Sequence, residues 1–150
     1  MADVEMVCHQ VNCRGVMGRA DYKGEPTTNL AQQLRNVHGD ELYQPYRELC
    51  VKSGGLLLGQ VQILKMNDGK LICNMFAQDS YGRIGVHTDY NAFESCCKQI
   101  VEYCKSNGIK HIGMPYKIGC NRGGGYWLTI QDILFKHFQD ESIDLTIYSL

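Results

Sequence analysis

A glycine-rich segment, residues 114–127, has the composition of a site for an anionic group. It follows an apolar run at residues 109–114 that predicts a short buried strand, and it precedes an amphipathic helix beginning near Tyr126. Four of the seven residues at 119–125 are glycine, which allows consecutive backbone N–H groups to converge on one ligand. The N-terminus of the following helix favours negative charge. The segment therefore predicts a phosphate-binding loop, with a flexible surface loop as the alternative.

Two further segments share this position at the end of a predicted strand. Residues 12–18 contain two glycines and follow an apolar strand predicted at residues 4–12. Residues 78–90 form a long loop after a second apolar strand, and long loops in compact domains are more often functional than not. The GxxxxGK[ST] and GxGxxG patterns are absent from the sequence, so neither the P-loop nor the Rossmann fingerprint applies.

The elements that must position these segments alternate between strand and helix. Asn67-Asp68-Gly69 predicts a tight hairpin turn between strands at residues 60–66 and 70–77. Helical periodicity predicts helices that begin at Thr27 or Thr28, near Asp40, at Thr88 or Asp89, and near Tyr126. This order predicts an α/β fold with a mixed, mostly parallel sheet and helices on both faces. Ligands of such sheets bind beyond the carboxyl ends of the strands.

Composition limits the class of protein. The 150 residues are 44% hydrophobic and 21% charged, which predicts one globular domain. The net charge of −1, with acidic and basic residues intermixed, argues against a nucleic-acid partner. No apolar run reaches membrane-spanning length, so we expect a soluble, cytoplasmic protein with no membrane partner. The eight cysteines show no CxxC pair and no metal-ligand spacing, so we expect free thiols, no metal and no cofactor.

Several of these segments resemble one family. Residues 9–18 (HQVNCRGVMG) and 115–127 (PYKIGCNRGGGYW) are similar to the two ligand loops of macrodomains. Residues 74–83, 88–92 and 143–148 resemble small phage and bacterial members, in the branch around the terminal ADP-ribose protein glycohydrolase and the yeast-type ADP-ribose 1''-phosphate phosphatase. The resemblance covers most of the chain. It implies a single macrodomain over residues 1–150 with three α/β/α layers, without the usual first strand.

The resemblance implies that ADP-ribose or a derivative lies across the strand ends. Its diphosphate and distal ribose would sit between residues 12–18 and 115–125. The implied ligand-binding residues are Asn12, Gly15, Val16, Met17, Gly18, Phe76, Pro115, Tyr116, Ile118, Gly119, Cys120, Asn121, Arg122, Gly123 and Gly124.

One catalytic candidate follows from the same comparison. The lysine and aspartate of the glycohydrolase correspond to Ala77 and Gly123, which disfavours a lysyl–ribose mechanism. Phosphatase members carry a histidine at the position of His9, and imidazole can relay a proton near neutral pH. Hydrolysis of ADP-ribose 1''-phosphate is the first hypothesis. The alternatives are a non-catalytic ADP-ribose-binding module and an RNA- or protein-interaction domain, and His9 could equally be a structural residue bonded to the backbone.

Two expectations come from departures from the family pattern. Family members usually read adenine with an aspartate at the end of an additional first strand, and no equivalent aspartate precedes His9. Adenine would then be recognised differently. A missing strand would also uncover an edge of the sheet, and uncovered edges favour pairing. We therefore expect a monomer or a weak homodimer joined through that edge.

Overall fold

The protein is built around a five-stranded sheet. The computed structural model describes residues 4–19, 29–82, 85–120, 123–139 and 142–149. The strands are β1 (Met6–Asn12), β2 (Val61–Lys65), β3 (Leu71–Gln78), β4 (His111–Pro115) and β5 (Asp144–Tyr148). They lie in the order β2-β3-β1-β4-β5, with β2 antiparallel to β3 and every other pairing parallel. This confirms the predicted mixed, mostly parallel sheet.

Helices cover both faces of the sheet, as the sequence predicted. They are α1 (Leu30–His38), α2 (Asp40–Ser53), α3 (Tyr90–Asn107) and α4 (Trp127–Phe138). Alternate residues of β1 and β3 point to opposite faces, so both sets must be covered. One core joins Val7, Val11, Ile72 and Phe76 to α1 and α2, and the other joins Met6, Cys8, Cys73 and Met75 to α3 and α4.

Helix starts agree with the sequence except at α1. Asn29 caps α1 by accepting a hydrogen bond from the Gln32 N–H, whereas Thr27 and Thr28 lie outside the described residues. Asp89 caps α3 as predicted, accepting from the Ala92 N–H at 2.9 Å. Asparagine competes with threonine for such positions because its short side chain reaches the same backbone donors.

The cysteines belong to the packing of the sheet. All eight are free thiols, and only Cys120 is not buried. Burial raises the pKa of Cys96 to about 12, so this thiol stays protonated and behaves as a small apolar side chain. Within the part of the chain that the structure describes, no group of side chains could hold a metal ion. None of the described helices is long and apolar enough to cross a membrane.

Candidate functional site

Three loops meet at one end of the sheet. They follow β1, β3 and β4, which are parallel neighbours and therefore end on the same side. The Cys13 N–H donates to the Asp79 carbonyl at 3.1 Å, which joins the first loop to the second. The N–H groups of His87 and Thr88 both donate to the Gly123 carbonyl, at 2.7 and 2.9 Å, which joins the second to the third. Residues 12–18 and the described residues of the third loop, 119–120 and 123–125, thus border one region.

A cleft of about 580 Å³ opens at this end of the sheet. This volume is in the range of small-molecule sites. Among the described residues that line it, none is acidic and Lys117 is the single cation, so the cleft favours an anionic ligand. Its lining consists of His9, Gln10, Asn29, Leu30, Ala31, Gln78, Pro115, Tyr116, Lys117, Ile118, Gly119, Cys120, Gly123 and Ser149.

A polar cluster from β1 and β3 supports the third loop. Gln10 Nε2 donates to Gln78 Oε1 at 2.7 Å and to Thr88 Oγ1 at 2.8 Å. Thr88 Oγ1 in turn donates to the Gly119 carbonyl at 2.6 Å. These bonds connect residues far apart in sequence, so they fix the loop to the sheet rather than to its own neighbours.

The glycines of this loop are required by the same cluster. A Cβ on Gly123 would lie 2.2 Å from Thr88 Oγ1 and 2.7 Å from the Gly119 carbonyl oxygen. A Cβ on Gly119, whose φ is +77°, would lie 2.8 Å from Gln10 Oε1. The sequence pattern predicted glycine for the approach of a ligand, but atoms of the protein itself already demand it.

Backbone donors remain unused along the third loop. The N–H groups of Gly119, Gly123 and Gly124 make no hydrogen bond to other described residues. Tyr126, the N-cap of α4, provides no side-chain cap. The first turn of α4 therefore keeps donors and a positive dipole end next to these glycines, which is the combination that binds anions.

Side chains from α1 and α2 fix the first loop from behind. Tyr43 Oη donates to the Gly15 carbonyl at 2.9 Å, and Arg35 Nη1 donates to the Met17 carbonyl at 2.9 Å. The Arg35 guanidinium also lies 3.6 Å from the centre of the Tyr43 ring. With its carbonyls bonded, the loop is held in one conformation, while the N–H groups of Met17 and Gly18 bond to no described residue.

Asn12 closes the first loop with its own amide. Its Oδ1 accepts from the N–H groups of Arg14 and Val16 at 2.9 and 3.3 Å, and its Nδ2 donates to the Val16 carbonyl at 2.7 Å. Tyr46 Oη lies 2.8 Å from the Asn12 carbonyl oxygen and 3.0 Å from the same Oδ1, so its single O–H donates to Asn12. Asn12 is therefore a structural residue of the loop, and the ligand contact that the resemblance implies for it stays a prediction, since its NH₂ group has a second hydrogen to donate.

The structure brings together six of the fifteen residues in the implied ligand-binding set. Pro115, Tyr116, Ile118, Gly119, Cys120 and Gly123 line the cleft together with His9. Phe76 is fully buried and stacks on Tyr46 at 5.9 Å, so its side chain belongs to the core. Asn121 and Arg122 lie outside the described residues. The remaining residues of the set belong to the first or the third loop and do not line the cleft: Asn12, Gly15, Val16, Met17, Gly18 and Gly124.

Sequence reasoning missed the polar support of the cleft. Gln10, Gln78 and Thr88 hold the third loop, yet none was proposed as a site residue. A signal existed, because Gln10 and Gln78 stand near the ends of mostly apolar strands. Polar residues buried at strand ends must find partners, and their partners here are the loops that form the cleft.

Lys117 was also missed, and its backbone is unusual. Its φ is +61°, and among the described residues it is the single non-glycine residue with a positive φ. The side chain lines the cleft, and its ammonium lies 5.6 Å from the centre of the Tyr116 ring. No acidic side chain among the described residues pairs with it, so its charge is available to a ligand.

His9 lies in the wall of the cleft but is almost completely buried, with 2% of its surface exposed. Its Nε2 is 2.6 Å from Asn74 Oδ1, so its partner is a side chain on β3 rather than the backbone. Burial lowers the pKa of His9 to about 4, because the charged imidazolium loses its hydration. The imidazole is therefore neutral at pH 7.

Comparisons with known proteins agree with this architecture. The chain superposes on the macrodomain of Mycobacterium tuberculosis DarG with a TM-score of 0.78 and 23% identity, over 99% of this chain and 90% of that one. A protein of unknown function from Bacteroides thetaiotaomicron gives 0.80 and 23%, over 98% and 88%. Thermosipho africanus DarTG in complex with ADP-ribose gives 0.75 and 22%, over 97% of this chain and 38% of that longer one. No curated protein matches the chain significantly.

The family assignment rests on a separate match. A model of the Macro domain family aligns with residues 8–134. This range runs from β1 into α4, so it includes all three loops and the polar cluster that supports them. The match covers well over half of the chain, and the chain belongs to the Macro domain family.

Proposed function

We propose that the cleft binds ADP-ribose or a derivative of it. The observation that carries this proposal is the set of unused backbone donors on the third loop, next to the uncapped N-terminus of α4. A diphosphate matches this arrangement, because its oxygens accept several N–H groups at once and its charge suits the helix dipole. The complex of Thermosipho africanus DarTG with ADP-ribose, which shares the fold, supports the same ligand class.

The rest of the cleft suits the nucleoside parts of such a ligand. Lys117 adds a cation without an acidic partner among the described residues, and the exposed ring of Tyr116 offers an apolar surface to a sugar or base. Because the first loop is held by Tyr43 and Arg35, binding would require little reordering of the backbone. Preorganised backbone donors would then carry most of the recognition of the diphosphate.

Isothermal titration calorimetry tests this proposal directly. We expect ADP-ribose to bind with 1:1 stoichiometry, and ADP and pyrophosphate to bind more weakly at the same site. Competition between pyrophosphate and ADP-ribose would place the diphosphate in the shared anion site. A chain that gives no heat and no competition with any of these ligands would refute the proposal and favour an RNA- or protein-interaction domain.

A second candidate function is hydrolysis of ADP-ribose 1''-phosphate. One observation favours it: His9 is a neutral imidazole in the cleft wall, and its Nδ1 has no hydrogen-bond partner among the described residues. A neutral imidazole with an unused nitrogen can accept a proton from water. We expect release of inorganic phosphate from ADP-ribose 1''-phosphate by the wild type and its loss in His9→Gln. Binding of ADP-ribose without phosphate release would instead identify a non-catalytic binding module.

We also propose that any self-association uses β5. This strand is at the edge of the described sheet and carries a partly exposed Ile147. Edge strands present unpaired backbone groups that favour pairing with another chain. Light scattering across a concentration series should show a monomer that dimerises weakly, and Ile147→Lys should abolish the dimer. A dimer that survives this substitution would have another interface.

A further inference from the structure

Three polar side chains form a row across the buried sheet. His9 on β1, Asn74 on β3 and Gln62 on β2 are direct neighbours in the strand register. Asn74 is fully buried and His9 nearly so. Hydrogen bonds of 2.6 Å from His9 Nε2 to Asn74 Oδ1, 3.0 Å from Asn74 Nδ2 to Gln62 Oε1, and 3.2 Å from Gln62 Nε2 to the Pro45 carbonyl connect the row to α2.

The final acceptor sets the direction of every bond in this row. The Pro45 carbonyl can only accept, so the end of Gln62 that faces it must be the NH₂ group. Gln62 then turns its oxygen to Asn74, and Asn74 must present its own NH₂ group to that oxygen. Asn74 therefore turns Oδ1 to His9, and His9 Nε2 must carry a proton to donate. Reversing any amide would place two acceptors or two donors against each other.

This direction leaves one ring nitrogen of His9 with a single possible role. A neutral imidazole has one protonated nitrogen and one acceptor nitrogen, so protonated Nε2 makes Nδ1 the acceptor. Nδ1 is buried and has no partner among the described residues. Buried polar atoms without partners are rare in folded proteins, and His9 lines the cleft, so a group bound in the cleft is the natural partner of Nδ1. A group that bonds to Nδ1 must donate a proton.

We propose that Asn74 is a positioning residue, which holds His9 in the Nε2–H tautomer so that Nδ1 accepts a hydrogen bond from a hydroxyl or amino group of the bound ligand. The proposal rests on the proposed ADP-ribose-type ligand, whose riboses and base carry such donors. Phosphate oxygens do not, so His9 contacts the nucleoside parts of the ligand. The anion is left to the backbone of the third loop. Asn74 touches no ligand itself and acts through His9.

Long-range ¹H–¹⁵N correlation spectroscopy of the imidazoles tests the tautomer in the intact chain. At pH 7.5 we expect His9 to carry its proton on Nε2 alone, whereas the exposed His111 turns Nδ1 to the Asp144 carboxylate at 3.4 Å and should carry its proton there. Saturating ADP-ribose should shift the Nδ1 resonance of His9, and saturating pyrophosphate should not. A protonated Nδ1 in the free protein would overturn the proposal. An equal shift with pyrophosphate would overturn the second part of the proposal, that a hydroxyl or amino group of the ligand donates to Nδ1.

Two variants separate positioning from a merely structural role. In Asn74→Asp a carboxylate faces Nε2–H and stabilises the imidazolium, so Nδ1 gains a proton and becomes a donor. We expect the affinity for ADP-ribose to fall about tenfold while the affinity for pyrophosphate stays within twofold. Asn91→Asp makes the same chemical change on the exposed side of α3 and should leave both affinities unchanged. Equal loss of both ligands in Asn74→Asp would indicate damage to the fold and refute positioning.

Failure of the proposed function would look different from failure of this inference. If ADP-ribose does not bind the wild type at all, the ligand assignment falls, but the tautomer of free His9 is still measured. If ADP-ribose binds and the Nδ1 resonance does not move, the ligand class stands and a water rather than the ligand occupies the acceptor. Should Asn74→Asp fail to fold, the spectra of the wild type decide the question alone.

Discussion

Acidification should destabilise the protein through one buried residue, His9. Burial lowers its pKa to about 4 in the folded state, compared with about 6.5 for an unfolded chain. Between these values the unfolded state binds a proton that the folded state excludes, so a falling pH favours unfolding. The destabilisation by His9 is absent above about pH 6.5, grows as the pH falls, and reaches its full size near pH 4.

The size of this effect follows from the difference between the two pKa values. At pH 4.5, two pH units below the ordinary value, exclusion of the proton costs about 2.5 kcal/mol of folding free energy. Domains of this kind are stable by roughly 5–15 kcal/mol, so the loss is a large fraction of the total. Carboxylates such as Glu5 and Glu94, whose pKa values are lowered by hydrogen bonds, add their own dependence on pH.

Urea unfolding of the wild type and of His9→Gln at pH 7.5 and pH 4.5 isolates the histidine. Both proteins share the carboxylates, so their contribution cancels when the two changes in unfolding free energy are subtracted. We expect the wild type to lose about 2.5 kcal/mol more than His9→Gln on acidification. Equal losses in the two proteins would show that His9 is hydrated or already protonated, and the burial argument would be refuted.

Three further predictions concern the loops. Gly123→Ala should weaken ADP-ribose binding at least tenfold in calorimetry and lower the unfolding free energy by about 1–3 kcal/mol in a urea titration, because the new Cβ overlaps three atoms. The control Gly55→Ala brings its Cβ near only one atom, at 3.5 Å, and should change neither quantity. Tyr46→Phe removes a hydroxyl bonded to Asn12 and should lower the unfolding free energy by about 1–2 kcal/mol in a urea titration. An unchanged unfolding free energy would show that this hydroxyl does not stabilise the first loop. Lys117→Asn places a residue that tolerates positive φ at this position, so the unfolding free energy should change by less than about 0.5 kcal/mol. The affinity for pyrophosphate should fall because the cation is lost, and an unchanged affinity would show that Lys117 is not part of the site.

The sequence predicted the architecture because its signals are local. Strand and helix periodicity, the Asn67-Asp68-Gly69 turn and the glycines after two strands each depend on residues within one element. The alternation of strands and helices then placed the loops after β1 and β4 at the same end of a parallel sheet, as the structure has their described residues. Even the boundary errors, such as the cap of α1, are shifts of one or two residues.

The roles of individual polar residues were not accessible in the same way. Asn12 carries a side chain that suits either a ligand or a turn, and the choice depends on Tyr46, which lies 34 positions away in sequence. Gln10 supports the third loop through its hydrogen bond to Thr88, which lies 78 positions away. Hydrogen-bond partners of buried groups are set by strand order and register, neither of which one strand can reveal.

Sequence alone determined that this chain forms a mostly parallel α/β sheet with glycine loops at the strand ends, because backbone conformation and burial follow short-range patterns. Tertiary structure alone decided which ring nitrogen of His9 is available. That outcome depends on a row of bonds from β1 through β3 and β2 to a carbonyl of α2, spanning 65 positions at its first step. Hydrogen bonds have direction, and only the final acceptor of a row fixes it.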